Sequence, residues 1–285
     1  MKKVAVITGA TSGIGQWIAT GLLRDNYEVV IVGRSQEKIR LAQQEMKQMG
    51  GDNARVYGEL ANLASLDSVE RLAERIRDRY PETSLLINNA GVFAAKKALS
   101  EDGIEMDMAV NHVAPFLLTW RLLPLLQQQR GSRVVNVNSD SHEKATLEPS
   151  DLDPTAPFHM GASYGKSKLA NMATIVEFAA RVSPASVTIN AVHPGAVATN
   201  IGNVGGVLQL AWLVMKPFLI TPQQGADTPL WAATSPHLVD ATGNYYKKRT
   251  LTPMNPQTQR PSLREMVWRR TRELARIPDD AQLIV

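Results

Sequence analysis

Tyr164 and Lys168 stand four residues apart in the run Tyr164-Gly165-Lys166-Ser167-Lys168. On a helix that spacing puts both side chains on one face, one turn apart. An unperturbed tyrosine keeps its proton up to about pH 10, too tightly for efficient transfer at neutral pH. A neighbouring ammonium favours the phenolate, so the pair has the makings of a general acid or base. Such spacing also arises by chance, and the rest of the chain decides whether it is used.

A second chemical feature opens the sequence. Thr8-Gly9-Ala10-Thr11-Ser12-Gly13-Ile14-Gly15 follows the apolar run Val4-Ala5-Val6-Ile7 and leads into a helical pattern. Glycines in a strand-to-helix turn let backbone amides approach a pyrophosphate, which the helix N-terminus then stabilises. The next apolar run ends at Gly33-Arg34-Ser35. In dinucleotide-binding folds an acidic residue here holds the ribose 2′-hydroxyl, whereas an arginine accommodates a 2′-phosphate. Arg34, with no acidic neighbour, points to NADP(H) rather than NAD.

These groups need elements to carry them. Val4–Ile7, Val29–Val32, Leu85–Ile87, Val134–Val137 and Val187–Val192 are short, apolar and rich in β-branched residues. They read as strands covered on both faces. Helical patterns run between them over Ile14–Arg24, Gln36–Met49, Ser65–Tyr80, Ala114–Gln129 and Ala162–Val182, with short extra strands expected at Arg55–Tyr57 and Gly243–Tyr246. Strictly alternating strands and helices predict an α/β fold: a doubly wound parallel sheet of Rossmann type in three α/β/α layers. One domain is expected over 1–285, with substrate-loop insertions near 140–162 and 200–222 and a C-terminal helix near 262–275. Pro149, Pro154 and Pro157 make the first insertion a loop.

Taken together, the motifs make the chain resemble the short-chain dehydrogenase/reductase family over nearly its whole length. Thr8–Gly15 matches the family's cofactor turn, and Asn88-Asn89-Ala90-Gly91 matches its motif after the fourth strand. Asn111, Ser139, Tyr164 and Lys168 match the four catalytic positions in order, and Pro194-Gly195 with Val197 and Thr199 matches the segment that meets the nicotinamide carboxamide. The resemblance implies cofactor contacts from Gly9, Thr11, Ser12, Gly13, Ile14, Gly15, Arg34, Glu59, Leu60, Asn89, Ala90, Gly91, Pro194, Gly195, Val197 and Thr199. Tyr164 and Lys168 would also reach the nicotinamide ribose. Glu59 replaces the aspartate expected beside the adenine, and Asn138 stands where a serine often precedes the catalytic one.

The implied chemistry is hydride transfer between NADP(H) and a carbonyl or alcohol substrate. Ser139 would hold the substrate oxygen, Tyr164 would carry the proton, Lys168 would lower the tyrosine pKa, and Asn111 would anchor a water leading to solvent. Ser167-Lys168-Leu169-Ala170-Asn171 and His193-Pro194-Gly195 resemble the retinol-dehydrogenase and protochlorophyllide-reductase branch, which implies a lipophilic ketone or aldehyde. Two other roles fit the same motifs: a cofactor-binding regulator without turnover, and an NADP-assisted epimerase or dehydratase.

Composition sets the remaining bounds. The 285 residues are 44% hydrophobic and 20% charged, values of a globular chain. Having no cysteine removes disulfides, thiolate metal sites and thiol nucleophiles. The five histidines have no metal-ligand spacing, so no metal is expected; His142, just past Ser139, is expected to line the substrate pocket. Lys247–Arg276 carries nine Lys/Arg against two Asp/Glu, without the aromatic interleaving of a nucleic-acid surface, and reads as a solvated helix. The apolar stretch 201–221, with Lys216 its only charge, suggests a lid bearing Trp212 and Phe218 over an apolar substrate, with core packing and peripheral membrane contact as rivals. No run at the N-terminus is long enough for a transmembrane segment or a signal peptide, so a cytoplasmic location is expected. The sequence leaves monomer, dimer and tetramer equally open.

Overall fold

Alternate residues of each inner strand enter opposite hydrophobic cores, which is why these runs are apolar throughout. The computed structural model describes residues 3–51, 54–197 and 219–283. Its elements are β1 Val4–Thr8, α1 Gly13–Arg24, β2 Glu28–Gly33, α2 Gln36–Gly50, β3 Val56–Leu60, α3 Leu66–Arg79 and β4 Thr83–Asn88. A long helix α4, Met106–Gln127, follows. Then come β5 Ser132–Val137, α5 Ala162–Arg181, β6 Val187–His193, α6 Pro222–Gly225, α7 Asp227–Thr234, β7 Tyr245–Lys247, β8 Thr250–Leu251 and α8 Pro261–Leu274. The described strands form one sheet in the order β3-β2-β1-β4-β5-β6-β7-β8. Neighbours from β3 to β7 pair in parallel, and β8 closes the edge antiparallel to β7.

Val4, Val6, Leu86 and Val134 point into the core beneath α3, α4, α5 and α8, whereas Ala5, Ile7, Ile87 and Val135 point into the core beneath α1 and α2. The doubly wound α/β sheet is therefore as expected. The third strand runs on to Leu60, beyond the expected Tyr57, and the segment after β5 carries short 3₁₀ turns at Asp140–Lys144 and Pro149–Leu152. Met106–Gln127 is long and apolar enough to cross a membrane by length and composition, yet most of it is buried inside the protein.

The basic C-terminal helix is less open than its composition suggests. Val267, Trp268 and Thr271 face inward. Trp268 packs edge-on against Phe116 at 5.1 Å and Phe178 at 4.8 Å, so α8 covers both α4 and α5. Arg264 pairs with Glu177 at 2.7 Å, Arg276 with Asp102 at 2.8 Å, and Arg270 with Asp153 and Glu273. Internal carboxylates therefore take up much of the positive charge. Removing the indole should cost what a large buried aromatic normally costs. Trp268→Ala is expected to destabilise the fold by about 3–5 kcal/mol in urea unfolding; a loss under about 1 kcal/mol would mean that α8 merely rests on the surface.

Candidate functional site

The sheet order reverses between β1 and β4, and a cleft of about 790 Å³ opens at the carboxyl ends of these strands. Doubly wound sheets place their ligands at this switch point. The floor is the glycine turn. Gly9 has φ +66°, and a Cβ there would lie 2.8 Å from the Ala90 Cα, so no larger residue fits. Thr8 Oγ1 accepts the amides of Asn89 at 3.0 Å and Ala90 at 3.1 Å, and Asn89 Nδ2 donates to Thr8 O at 2.9 Å and Gly9 O at 3.2 Å. The turn and the Asn88–Gly91 segment thus lock each other. Ser12 caps α1 without a side-chain cap bond, leaving the first-turn amides to face the cleft, as an anion site requires.

At the far end Arg34 lines the cleft together with Lys38. Lys38, on the first turn of α2, was not singled out from sequence. On the adenine side the expected contacts fall elsewhere. Glu59 is 2% exposed and faces α3, where it accepts from Arg75 Nε at 2.7 Å, Arg79 Nη1 at 2.9 Å and the Tyr80 hydroxyl at 3.0 Å. Leu60 points to solvent, 49% exposed. The wall at this point is Ala61, Asn62, Leu63 and Ala64, because β3 runs on and only the loop after it turns over the cleft.

The opposite end gathers the proton-transfer candidates. Lys168 is 5% exposed, donates to Val137 O at 3.2 Å, and lies 5.6 Å from the centre of the Tyr164 ring. Burial pulls its pKa down to about 8, with the Asp107 charge pushing back. Burial pushes Tyr164 up to about 12; a hydrogen bond with Ser139 pulls it down, and Asp107 and Asp140 push it up. The expected lowering of the tyrosine pKa is thus not seen: burial raises it instead, and Tyr164 holds its proton at neutral pH. Ser139 caps the 3₁₀ turn, accepting the Ser141 amide at 3.2 Å. Asn138, far from incidental, is 2% exposed and ties β5 to α5 through Lys168 O and Asn171 Oδ1, both at 3.1 Å.

Asn111 sits in a π-helical turn, Ala109–Val113, within α4, an irregularity common at functional sites. Its Oδ1 accepts the Val92 amide at 2.8 Å, and its Nδ2 donates to Val92 O at 2.9 Å and Ser167 Oγ at 3.1 Å. Phe93, missed from sequence, lies 5.2 Å from the Tyr164 ring, centre to centre. Met106 and Val110 join it in the cleft wall. Pro194 also lines the cleft, whereas Gly195 lies against Ile220 and Val197 is 8% exposed and bridges the same residue.

His142 does not line the pocket. It is fully buried, its Nδ1 bonds Ser139 O at 2.6 Å and its ring packs edge-on to Tyr245 at 4.8 Å, because the 3₁₀ turn folds it back beneath Ser139. Thr199, Trp212 and Phe218 lie outside the described residues.

A glycine-floored cleft at the switch point, with Tyr164 and Lys168 at one end and Ser139 hydrogen-bonded to the tyrosine, is the arrangement of a dinucleotide-dependent oxidoreductase. Residues 3–205 match the short chain dehydrogenase family. The chain is 36% identical over 267 residues to a Streptomyces sp. (strain C5) protein assigned as daunorubicin C-13 ketoreductase, covering 93% of this chain and 90% of the relative. It is 35% identical over 280 residues to retinol dehydrogenase 14 of Mus musculus, covering 93% and 84%. A crystal structure of an uncharacterised protein from Mycobacterium Paratuberculosis superposes with a TM-score of 0.77 at 26% identity, covering 97% of this chain and 94% of that one. This chain belongs to the short-chain dehydrogenase family.

The placement of Glu59 has a direct consequence. Glu59→Gln should lower stability by about 1–3 kcal/mol, the cost of loosening a buried charge-assisted network, and leave coenzyme affinity unchanged. Asn62→Ala should weaken coenzyme in a fluorescence titration, with a small loss of melting temperature because its Nδ2 donates to Glu101 Oε1 at 2.8 Å and its Oδ1 accepts the Ala64 amide at 3.1 Å.

Proposed function

We propose that the protein is an NADP(H)-dependent oxidoreductase interconverting a bulky apolar carbonyl compound and its alcohol, with Tyr164 as general acid and base. The observation that carries this is a single cleft with Tyr164 and Lys168 at one end, Ser139 hydrogen-bonded to the tyrosine, and the cations Arg34 and Lys38 at the other end. The glycine turn fits a pyrophosphate, since Gly9 admits no Cβ and the first-turn amides of α1 have no side-chain cap. Arg34 and Lys38 would hold a 2′-phosphate, which NAD lacks. A bound dinucleotide of this type supplies or takes up the hydride.

The chain's own residues then supply position and the proton. In the reducing direction Ser139 donates a hydrogen bond to the carbonyl oxygen and stabilises the negative charge that develops there. Tyr164, protonated at neutral pH, delivers its proton to that oxygen. Lys168, with a pKa near 8, stabilises the phenolate left behind and helps return a proton to it. Asn111 supports the relay by fixing the Val92 backbone and Ser167 beside Lys168. Phe93, Met106 and Val110 give the substrate end an apolar wall. One relative is named for a daunorubicin ketoreductase and the other for a retinol dehydrogenase, one name describing carbonyl reduction and the other alcohol oxidation.

Tyr164→Phe should cut turnover by about 10²–10⁴-fold while NADPH affinity, read by fluorescence, stays nearly constant; retention of most of the rate would overturn the assignment. Each of Arg34→Ala and Lys38→Ala should weaken NADPH by about 1.5–3 kcal/mol, the worth of a charge-assisted contact, and hardly touch NADH. A wild-type preference for NADH would defeat the coenzyme assignment. Oxidation of NADPH matched one-to-one by reduced product, in a screen of large apolar ketones and aldehydes, tests the reaction itself.

A further inference from the structure

Asp107 is a fully buried carboxylate on α4, one helical turn before Asn111. The two side chains grip alternate amides of one short strap. Asp107 Oδ1 accepts from Ala94 N at 2.9 Å, and Asn111 Oδ1 accepts from Val92 N at 2.8 Å. Phe93 lies between these bonds and is seated on the Tyr164 ring at 5.2 Å. Gly91, at the root of the strap, keeps the space beside the lysine clear: a Cβ there would lie 3.3 Å from Asn111 Oδ1 and 3.6 Å from Lys168 Nζ.

The other oxygen of the carboxylate, Oδ2, is buried and has no hydrogen-bond partner among the described residues. A buried half-satisfied carboxylate is costly, and nearby charge is its remaining compensation. The groups that face it are few. Lys168 on α5 is the cation, Glu105 is an anionic neighbour on its own helix, and Tyr164 on α5 feels both Asp107 and Asp140 from the turn after β5.

We propose that Asp107 is a positioning residue for the Tyr164–Lys168 pair, clamping the strap that seats Phe93 on Tyr164 and biasing the pair toward its protonated form by its charge. This rests on the reading of Tyr164 and Lys168 as proton-transfer groups. Burial, with Glu105 adding to it, lifts Asp107 to about 6 against the opposing Ala94 hydrogen bond and Lys168 charge, so the carboxylate is ionised at neutral pH. Its charge raises both Lys168 and Tyr164. Removing it therefore moves both equilibria to lower pH.

Asp107→Asn keeps an acceptor for the Ala94 amide and loses the charge, whereas Asp107→Ala loses both. The first experiment is the pH profile of kcat/KM for reduction of an apolar ketone. The asparagine variant should shift the alkaline limb about one unit or less toward acid with KM nearly unchanged; the alanine variant should shift it likewise and also raise KM. An unshifted limb in Asp107→Asn, in an enzyme that Tyr164→Phe inactivates, overturns the proposal and leaves the proposed function standing. Full activity in Tyr164→Phe overturns the proposed function instead.

The second experiment needs no substrate. The folded-state pKa of Asp107 lies above its ordinary value of 3.8. The folded protein therefore binds that proton more tightly, and the contribution to stability is lost as pH rises from about 4 to about 6. The melting temperature of wild type minus that of Asp107→Asn should fall across this window. In a Lys168→Met background the fall should move to higher pH, because the carboxylate has lost its cation. A difference that stays flat, or a midpoint that ignores Lys168→Met, overturns the coupling.

Discussion

A lysine ammonium in the interior is the constraint on which the site depends. Lys168 is 5% exposed, and its one described hydrogen bond is to the Val137 carbonyl at the end of β5. Desolvation of an ion is expensive, so everything around it must be polar, ordered or oppositely charged. The surroundings meet that demand. Asn138 holds the Lys168 carbonyl and thereby the pitch of α5. Asn111 and Asp107 fix the strap that runs on from Gly91, which leaves room beside the ammonium. Tyr164, a turn earlier on the same helix, inherits its place from these contacts. The same burial that lowers the lysine pKa raises that of the tyrosine, so in the proposed reaction the pair would depend on the charges around it to release the proton.

The coenzyme end is organised differently, by backbone rather than charge. Thr8 and Asn89 stitch the ends of two neighbouring strands together through four hydrogen bonds that involve main-chain atoms. The glycine turn is thereby held open over the sheet, and its shape survives whatever the surface does. Arg34 and Lys38, in contrast, are exposed, and in the proposed function they would add affinity without setting the geometry. In that reading, rigidity at the glycine turn and adjustable charge at Arg34 and Lys38 would give coenzyme selectivity a place to vary while the Tyr164 end stays fixed.

How much of this was legible in sequence follows from the range of the interactions. Strands filled with Val and Ile, and a glycine turn between strand and helix, are local signals, and both held. Tyr164 with Lys168 is a helical spacing and was readable for the same reason. Glu59 was misplaced because a shift of a few residues along β3 and the loop after it carries a side chain from the cleft to the far face. Only pairing with Arg75, Arg79 and Tyr80 reveals which face it takes. His142 misled because proximity in sequence to Ser139 says nothing about where a 3₁₀ turn sends the third residue. Phe93 and Asp107 gave no signal, since an aromatic and an acid at those positions acquire meaning only from the contact of strap and helix with α5.

The least legible contribution comes from the C-terminal quarter, beyond the 3–205 region that matches the family. Asn255 Nδ2 donates to His142 O and Ala145 O, both at 2.8 Å, and to Glu143 O at 3.2 Å, clamping the turn that Ser139 caps. Thr271 on α8 gives its hydroxyl proton to Val267 O at 2.6 Å, so it must accept from His112 Nε2 at 2.7 Å, which fixes that ring's tautomer. His112 is fully buried, its pKa pulled down to about 3 by desolvation, and it neighbours Asn111 within the π turn. Two neutral hydrogen-bonded contacts thus connect the C-terminal quarter to the residues that flank Tyr164, one through the Ser139 turn and one through the Asn111 turn. Neither titrates near neutral pH, and neither reaches the cleft. The Tyr164 end of the cleft is therefore braced from behind by residues far along the chain, and its fine geometry can change without any substitution in the cleft itself.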